Sequence, residues 1–274
     1  MITRIISRLG WGAAGVGFAS MAYAYLTLPD VRALARSNPS TTAFMQLRAA
    51  EAHAIGKHTR HVQRWVAYDH VSPSLKRAVL VAEDDLFWQH EGVDFEQLEE
   101  SLQVDWARGR FVRGASTITQ QLAKNLYLSP SKNPLRKFRE LVIARRLEAE
   151  LDKARILELY LNVIEWGDGI YGVEAASRTY FSQPASSLGS AESALLAAAI
   201  VNPRVLNPAR PSKGLLRRQQ IILGRMGAIT PPAAAPFAVP VPPIADAQEP
   251  IPVVTPADAT SDSRFGEPLQ NGAK

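Results

Sequence analysis

The chain has 274 residues, of which 46% are hydrophobic and 21% are charged, so it contains enough apolar material for a folded core. It has no cysteine, which excludes disulfides, cysteine nucleophiles and thiolate metal sites. Its formal net charge of +5 favours anionic partners. Nucleic acid, acidic lipid headgroups and phosphorylated substrates all belong to that class.

The N-terminal stretch 9–28 contains no charged residue. A helix of that length spans about 30 Å, the hydrocarbon thickness of a bilayer. Arg4 and Arg8 precede it and Asp30 follows it, so the positive-inside rule predicts a membrane anchor with the N-terminus in the cytoplasm. The triplet 22–24, Ala-Tyr-Ala, also resembles the cleavage site of a signal peptide. A buried core helix is a third interpretation, which the flanking arginines disfavour.

Composition divides the chain into a cytoplasmic N-terminus at 1–8, the anchor at 9–28, a polar membrane-proximal segment at 29–72, a main domain at 73–228 and a tail at 229–274. The tail holds 10 of the 19 prolines and few large apolar residues, which predicts a disordered segment.

Helix signals dominate the main domain. Ser72 before a proline, Thr117 with Gln120 at capping-box spacing, and Asp152 are predicted N-caps. Helices are expected over 73–85, 95–108, 117–128, 134–151, 153–164, 172–180, 190–200 and 215–226. Strand signals are scarce, so the fold class is predicted to be mainly α.

Three consecutive acids, Glu83, Asp84 and Asp85, follow the apolar run 78–82. A carboxylate at such a boundary has its pKa raised by desolvation, which suits Glu83 to act as a general base or acid. On local spacing alone, a solvated acidic helix end explains the triplet better. His90 and Asp94 follow, but no metal-ligand spacing is present, so a structural role for His90 is favoured.

The stretch 113–125, RGASTITQQLAKN, concentrates hydrogen-bonding side chains at a predicted helix start. They are Ser116, Thr117, Thr119, Gln120 and Gln121. The free N–H groups and positive dipole end of a helix N-terminus suit sugar hydroxyls or phosphate, and Lys124 adds a cation. Capping explains Thr117 and Gln120, but it does not explain five such side chains within six residues.

A basic run follows, made of Lys124, Lys132, Arg136, Lys137 and Arg139. A pyrophosphate needs several donors, and arginine binds phosphate in a bidentate manner. Glu140 lies four residues after Arg136, which is also the spacing of an ordinary surface ion pair. A solvated surface and a nucleic-acid site would show a similar run of charge. The preceding membrane signal and the few interleaved aromatic residues speak against nucleic acid.

The stretch 153–181 combines a predicted core helix with a glycine-rich turn. Apolar residues recur at helical spacing, which indicates core; they are Ile156, Leu157, Tyr160, Leu161 and Ile164. Asn162, Glu165 and Trp166 precede the turn and are equally well explained as cleft-lining residues or as buried polar groups.

Four motifs, in this order, resemble those of the peptidoglycan glycosyltransferases, the family that includes the glycosyltransferase modules of bifunctional penicillin-binding proteins. The motifs are EDDLFWQHEGVD at Glu83, GASTITQQLAKN at Gly114, RKFRELVIARRLE at Arg136, and KARILELYLN leading to RTYF. The resemblance runs from about Pro73 to Met226. No transpeptidase domain is expected after it, so the chain is similar to the monofunctional members.

The resemblance implies a lysozyme-like, two-lobed fold and lipid II as the substrate. Glu83 would be the general base that deprotonates the GlcNAc 4-hydroxyl of the acceptor. That oxygen would attack C1 of the lipid-linked donor with inversion and release of undecaprenyl pyrophosphate. Glu140 would be the second catalytic carboxylate, near the donor pyrophosphate or sugar.

The resemblance also implies binding roles. Contacts with phosphate are expected from Lys124, Lys132, Arg136 and Lys137. Ser116, Gln120, Gln121 and Asn125 are expected to line the cleft. A divalent cation, Mg²⁺ or Mn²⁺, assists in many members. The expected partners are lipid II, the growing glycan chain, the membrane and other cell-wall synthesis proteins, but not nucleic acid. The expected location is the inner membrane, with a periplasmic catalytic domain.

The chain departs from the pattern of the family at several positions. Ala115 stands where many members have a second glycine, and Lys132 stands where many have arginine, which loses a bidentate phosphate contact. Glu99 and Glu100 stand where many have apolar or basic residues.

Two other functions remain as alternatives. In a lysozyme-like glycan-cleaving enzyme, Glu83 would be a general acid. A membrane-tethered scaffold would keep the fold without activity. The basic run favours transfer over cleavage, because cleavage of a neutral glycoside needs no pyrophosphate clamp. The presence of Glu83, Lys124 and Glu140 argues against the scaffold.

Overall fold

The computed structural model describes residues 11, 15, 17–23, 25–58, 60–94, 116–129 and 133–228. The expected helix at 95–108, the departures at 99, 100 and 115, Lys132 and the tail lie outside this part of the chain. Residues 17–23 and 25–26 are helical. In the described ranges, no helix combines the length and the apolar character needed to cross a membrane.

After residue 30 the described chain forms eight α-helices and three short strands. The helices are α1 (Ala43–Ala54), α2 (Pro73–Glu83), α3 (Ile118–Tyr127), α4 (Pro134–Glu150), α5 (Lys153–Val163), α6 (Val173–Phe181), α7 (Ser190–Ala199) and α8 (Lys213–Arg225). The strands are β1 (Val62–Gln63), β2 (Glu165–Gly167) and β3 (Ile170–Tyr171). The prediction of a mainly α fold is confirmed.

The strands form one small sheet in the order β1-β3-β2, in which β1 runs parallel and β2 antiparallel to β3. The sequence did not predict it, because strands of two or three residues are too short to show an alternating pattern. Turns of 3₁₀ helix complete the secondary structure at Arg32–Ala35, Tyr68–His70, Ala185–Ser187 and Met226–Ala228.

All three predicted N-cap residues are confirmed, and two of them cap their helices through the side chain. The Thr117 hydroxyl accepts from the Gln120 N–H at 3.2 Å, and Asp152 accepts from the Arg155 N–H at 2.7 Å. Ser72 is the N-cap residue of α2, with proline at the first helical position as predicted, but its buried hydroxyl donates to the carbonyl of Leu188 at 2.7 Å and caps no N–H of the helix.

Helix α2 ends at Glu83 rather than at Asp85. The next residue, Asp84, leaves helical geometry with φ −167° and ψ 83°. Asp84 and Asp85 therefore point in directions that a continuing helix would not give them.

The helices pack in two sets that share one apolar core. Helix α2 packs on α7 and α8, whereas α3 packs on α1, α4 and α5. Leu80 of the first set and Leu122 of the second are both fully buried in the same cluster. Val31 and Met45 belong to this cluster too, so buried packing begins well before residue 73.

The end of the N-terminal helix contacts α4. The Arg139 guanidinium donates to the Thr27 carbonyl at 2.9 Å and to its hydroxyl at 3.1 Å. The Arg146 guanidinium lies 5.0 Å from the ring centroid of Tyr25. Two arginines two turns apart on α4 therefore hold this segment.

Candidate active site

Glu83 is the last residue of α2 and faces α3. Its Oε2 accepts from the amide nitrogen of Gln121 at 2.9 Å. Burial raises the pKa of Glu83, and the neighbouring charge of Asp84 adds to this effect. The Gln121 hydrogen bond and the charges of Arg218 and Lys124 oppose it. A carboxylate in this balance is suited to exchange a proton near neutral pH.

Tyr160, from α5, fixes the orientation of Gln121. Its hydroxyl donates to the Gln121 amide oxygen at 3.0 Å, which leaves the amide nitrogen for Glu83. Burial raises the pKa of Tyr160 well above its ordinary value, so the phenol stays protonated and remains a donor.

Asp84 ties the turn after α2 to the start of α3. Its carboxylate accepts from the Ile118 N–H at 2.9 Å and lies 3.0 Å from Nε2 of His90. The Gly92 N–H donates to Nδ1 of His90 at 3.2 Å, so Nε2 carries the proton and donates to Asp84. The structural interpretation of His90 is confirmed.

The third acid of the triplet has a separate contact. Asp85 pairs with Arg225 of α8 at 2.5 Å, at a partly exposed position. The three consecutive acids therefore differ: Glu83 faces Gln121, Asp84 is part of the scaffold, and Asp85 forms a peripheral ion pair.

Glu140 lies on α4 and is only 3% exposed. Its two oxygens accept from Arg136 at 2.6 Å and from Lys137 at 2.5 Å. This is not an exposed surface pair of the ordinary i,i+4 kind, because the carboxylate is buried and holds two cations. Glu140 thus fixes both cations on one side of the site.

Lys137 also reaches α3. Its ammonium donates to the Gln120 amide oxygen at 3.0 Å and lies 3.5 Å from the Ser116 hydroxyl. The Gln120 amide nitrogen lies 3.3 Å from the Gly92 carbonyl. Gln120 therefore links Lys137 to the turn that carries His90.

Lys124 is the cation of α3 that faces both carboxylates. Burial lowers its pKa, as do the charges of Arg136 and Lys137, while Glu140 and Glu83 oppose this. Within the described ranges, its ammonium forms no hydrogen bond or ion pair. A partly buried ammonium in this state is ready to receive an anionic group of a ligand.

The structure brings together nine of the ten predicted site residues, and Lys132 lies outside the described ranges. The last of the nine, Asn125, is buried one turn after Gln121 and donates to its carbonyl at 2.8 Å. The catalytic and binding roles of these residues stay predictions.

Sequence reasoning missed Tyr160 as a site residue and missed Arg218 altogether. Tyr160 matched the helical core spacing, which is correct for its ring but does not reveal its hydroxyl contact. Arg218 lies on α8, far along the chain, and no local spacing links it to Glu83.

The three polar residues around the glycine-rich turn separate in the structure. The Asn162 side chain bonds both the N–H and the carbonyl of Val66 at 2.8 Å, so it is a buried structural group. Trp166 is likewise buried and donates to a backbone carbonyl at 3.2 Å. Glu165 instead lines a cavity, with Arg48 at 3.2 Å.

The acids near the site do not form a metal-ligand set. Glu140 is held by two cations and Asp84 by His90 and a backbone N–H. Across the described ranges, no group of three or more His, Asp or Glu side chains is placed to hold a metal ion. Among the described residues, the acids near the site therefore do not fit a resident divalent cation.

Comparison with known proteins decides the family. The model of the Transglycosylase family matches residues 48–227. This range includes Glu83, Glu140 and the three cations of the site, Lys124, Arg136 and Lys137. The chain belongs to the Transglycosylase family.

Several relatives in this family are named biosynthetic peptidoglycan transglycosylase. One from Laribacter hongkongensis is 46% identical over 72% of this chain and 86% of its own length. One from Dechloromonas aromatica is 46% identical over 71% of this chain and 84% of its own. One from Aromatoleum aromaticum is 53% identical over 61% and 73%.

Proposed function

We propose that this chain is a peptidoglycan glycosyltransferase that polymerises lipid II into glycan strands during cell-wall synthesis. Membership of the Transglycosylase family and the names of the relatives support this activity. The observation that carries the proposal is the placement of one buried base, Glu83, beside Lys124 and the Glu140-held cations.

Glu83 removes the proton from the 4-hydroxyl of the acceptor GlcNAc. The freed oxygen attacks C1 of the donor sugar from the face opposite the pyrophosphate, so a glycosidic bond forms and the C1–O(phosphate) bond breaks with inversion. Gln121 favours the ionised form of Glu83 before the proton is taken.

The leaving pyrophosphate carries the electron pair of the broken bond. Lys124, Arg136 and Lys137 stabilise that charge, and Glu140 keeps the latter two in place before substrate binds. A pyrophosphate needs little protonation to leave, which accounts for a site rich in cations and with one base.

The glycan-cleaving alternative fits less well. A glycoside hydrolase needs two carboxylates, one of them a proton donor to the leaving oxygen. If Glu83 were that proton donor, Glu140 would have to be the second carboxylate, but its two oxygens are already bound by Arg136 and Lys137.

The proposal includes a lysozyme-like arrangement of two lobes, with the site where the two helix sets meet. It also includes an inner-membrane anchor at 9–28, with the catalytic domain in the periplasm. Large apolar side chains in this segment are exposed, including Trp11 at 80% and Phe18 at 76%, which suits contact with lipid. Immunoblotting of membrane fractions for the mass of the mature protein separates an anchor from a cleaved signal peptide.

The test is incubation of the purified full chain in detergent with lipid II, with glycan strands separated by gel electrophoresis. Wild type is expected to form strands, Glu83→Gln to form none, and the matched neighbour Asp85→Asn to form them. If Glu83→Gln forms strands at the wild-type rate, Glu83 is not the general base. Release of muropeptides from sacculi without strand formation would support the cleaving enzyme instead.

A further inference from the structure

A second cavity lies away from the Glu83 carboxylate, between the C-terminal half of α1 and the β2–β3 turn. It encloses about 470 Å³, which is within the usual range for small-ligand sites. We name it the Glu165 cavity. Its charged lining consists of Arg48, Glu51, Lys57, Arg60, Glu165, Asp168 and Arg204, and His58 also lines it.

Every acid of the Glu165 cavity is already paired with an arginine. Arg48 donates to Glu51 at 2.7 Å and to the buried Glu165 at 3.2 Å. Arg204 contacts Asp168 at 3.1 Å. Two arginines therefore pair with all three acids before any ligand binds, and Arg48 is shared by two of them.

Two cations of the cavity have no such counterpart. Lys57 and Arg60 form no ion pair with any described residue, and both are exposed at the rim. His58 lies between them in sequence. The cavity therefore presents surplus positive charge, which favours a ligand with a carboxylate or another anionic group.

The position of Arg60 is fixed by close backbone packing. Gly169 has φ +67°, and its Cα approaches so closely that an added Cβ would lie 2.2 Å from the Arg60 carbonyl oxygen. The Val62 N–H donates to the Gly169 carbonyl at 2.9 Å, which holds the same segment. The Arg60 side chain therefore extends from a backbone segment whose position at the edge of the cavity is fixed.

Part of the cavity lining is apolar. Ala52 and Ala54 line it, with Ile55, which is 66% exposed. The Asp168 side chain remains 72% exposed despite its ion pair, so it can accept from a ligand N–H. The Glu165 cavity therefore suits a short peptide with small side chains. It offers cations for carboxylates, an acceptor for N–H groups and an apolar surface.

The cavity is linked to the active site through α5. Tyr160, which orients Gln121, lies five positions before Glu165 in the chain. Helix α1, whose C-terminal half lines the cavity, also packs on α3. A ligand in the cavity therefore lies against elements that position the catalytic groups.

We propose that the Glu165 cavity binds the carboxylate-bearing peptide of the peptidoglycan on which the enzyme acts. This inference rests on the proposed function, because peptidoglycan is the source of that peptide. Lys57 and Arg60 bind peptide carboxylates, Asp168 accepts from peptide N–H groups, and Ala52, Ala54 and Ile55 contact small side chains.

The probes are the disaccharide-peptide that a muramidase releases from sacculi and the same disaccharide after an amidase has removed the peptide. Neither carries a pyrophosphate, so neither is a donor substrate. Calorimetric titration of the full chain in detergent is expected to show binding of the first probe and at least about tenfold weaker binding of the second. Conversion of the peptide carboxylates to amides is expected to weaken binding to a similar degree.

The variant Lys57→Ala/Arg60→Ala is expected to bind the disaccharide-peptide about tenfold or more weakly, because it loses two charged hydrogen-bond donors. The control Arg36→Ala/Lys213→Ala removes the same charge from exposed positions outside the cavity and is expected to bind as wild type does. Equal binding of the two probes, or unchanged binding by the cavity variant, overturns the site.

Lipid II polymerisation, measured on the same preparations, separates the two proposals. If the wild type polymerises lipid II normally but binds the two disaccharide probes equally well, the proposed peptide site is wrong and the proposed function stands. If binding requires the peptide, Lys57 and Arg60, but the wild type makes no glycan strands, the proposed function is wrong and the proposed peptide site stands.

Discussion

The hydroxyl of Tyr160 donates to the amide oxygen of Gln121 at 3.0 Å. Because a glutamine amide has one oxygen and one nitrogen end, this bond decides that the nitrogen faces Glu83, where it donates at 2.9 Å. A fully buried residue of α5 thus acts on the base at the end of α2 through a residue of α3.

Replacement of that hydroxyl gives the first prediction. Tyr160→Phe is expected to lower the kcat of lipid II polymerisation by about tenfold, because the amide loses the bond that orients it. The acid limb of the pH profile is expected to move to higher pH, since the Gln121 bond lowers the pKa of Glu83. Initial rates across a pH series measure both effects.

The control for that variant is Tyr180→Phe, which removes a hydroxyl of α6 that donates to the Trp166 carbonyl at 3.2 Å and makes no bond to Gln121. It is expected to leave kcat and the acid limb unchanged. If Tyr160→Phe keeps the wild-type rate and pH profile, the hydroxyl has no positioning role.

The motifs that resemble the family supplied the candidate site residues, and those of the second motif lie together because they share one helix. Gln120, Gln121, Lys124 and Asn125 fall on adjacent turns of α3, so helical spacing alone places them together. The caps at Thr117 and Asp152 were predictable for a similar reason, since a cap acts within three residues.

Contacts between distant segments were not predictable from local patterns. The charge of Arg218 acts on Glu83 only because α8 packs on α2, and the hydroxyl of Ser72 bonds to Leu188 rather than to an N–H of the helix that Ser72 begins. Strand β1 pairs with β3 across more than a hundred residues, and neither strand is long enough to show a pattern. These features depend on tertiary packing, which one-dimensional spacing does not encode.

The second prediction concerns the charge of Arg218. Glu83 works as a base only when ionised, so activity is lost as the pH falls through its pKa. Burial raises that pKa above the ordinary 4.5, and Arg218 lowers it. Arg218→Gln is therefore expected to move the acid limb of kcat/KM to higher pH.

Arg217→Gln removes the same charge one position away on α8 and is the matched control. It is expected to leave the acid limb of the kcat/KM pH profile at its wild-type position. A limb that moves equally in both variants would show that net charge, rather than the position of Arg218, sets the effect.

The third prediction concerns the buried carboxylate of Glu140. Glu140→Gln removes the charge that holds Arg136 and Lys137 at 2.6 and 2.5 Å. We expect kcat/KM for lipid II to fall by about 100-fold or more, because two charge-assisted hydrogen bonds that arrange the phosphate site are weakened.

The comparison for that variant is Glu174→Gln, which breaks another i,i+4 pair, with Arg178 at 2.6 Å on α6. Its kcat/KM is expected to stay within about twofold of wild type, because both partners of Glu174, Arg178 and the Ala185 N–H, lie outside the site. Similar losses in both variants would indicate general destabilisation rather than a role in the site.

The fourth prediction separates a close backbone contact from an unusual backbone angle. Gly56 and Gly169 have nearly equal angles, φ +66° and +67°, but a Cβ at Gly56 would meet nothing within 4 Å. Gly56→Ala is therefore expected to lower the free energy of unfolding only by about 1 kcal/mol, the cost of the left-handed conformation. Gly169→Ala adds a clash with the Arg60 carbonyl and is expected to cost about 3 kcal/mol or more.

Thermal unfolding of both variants, followed by circular dichroism in one detergent, measures the difference. Because the clash is with backbone rather than with a flexible side chain, relief requires movement of the segment that carries Arg60. The larger loss at Gly169 should therefore be accompanied by weaker binding of the disaccharide-peptide, even at temperatures where the variant remains folded. Equal losses of stability at the two glycines would mean that the backbone angle alone sets the loss in free energy of unfolding. The β2–β3 turn would then move enough to admit the added Cβ without further cost.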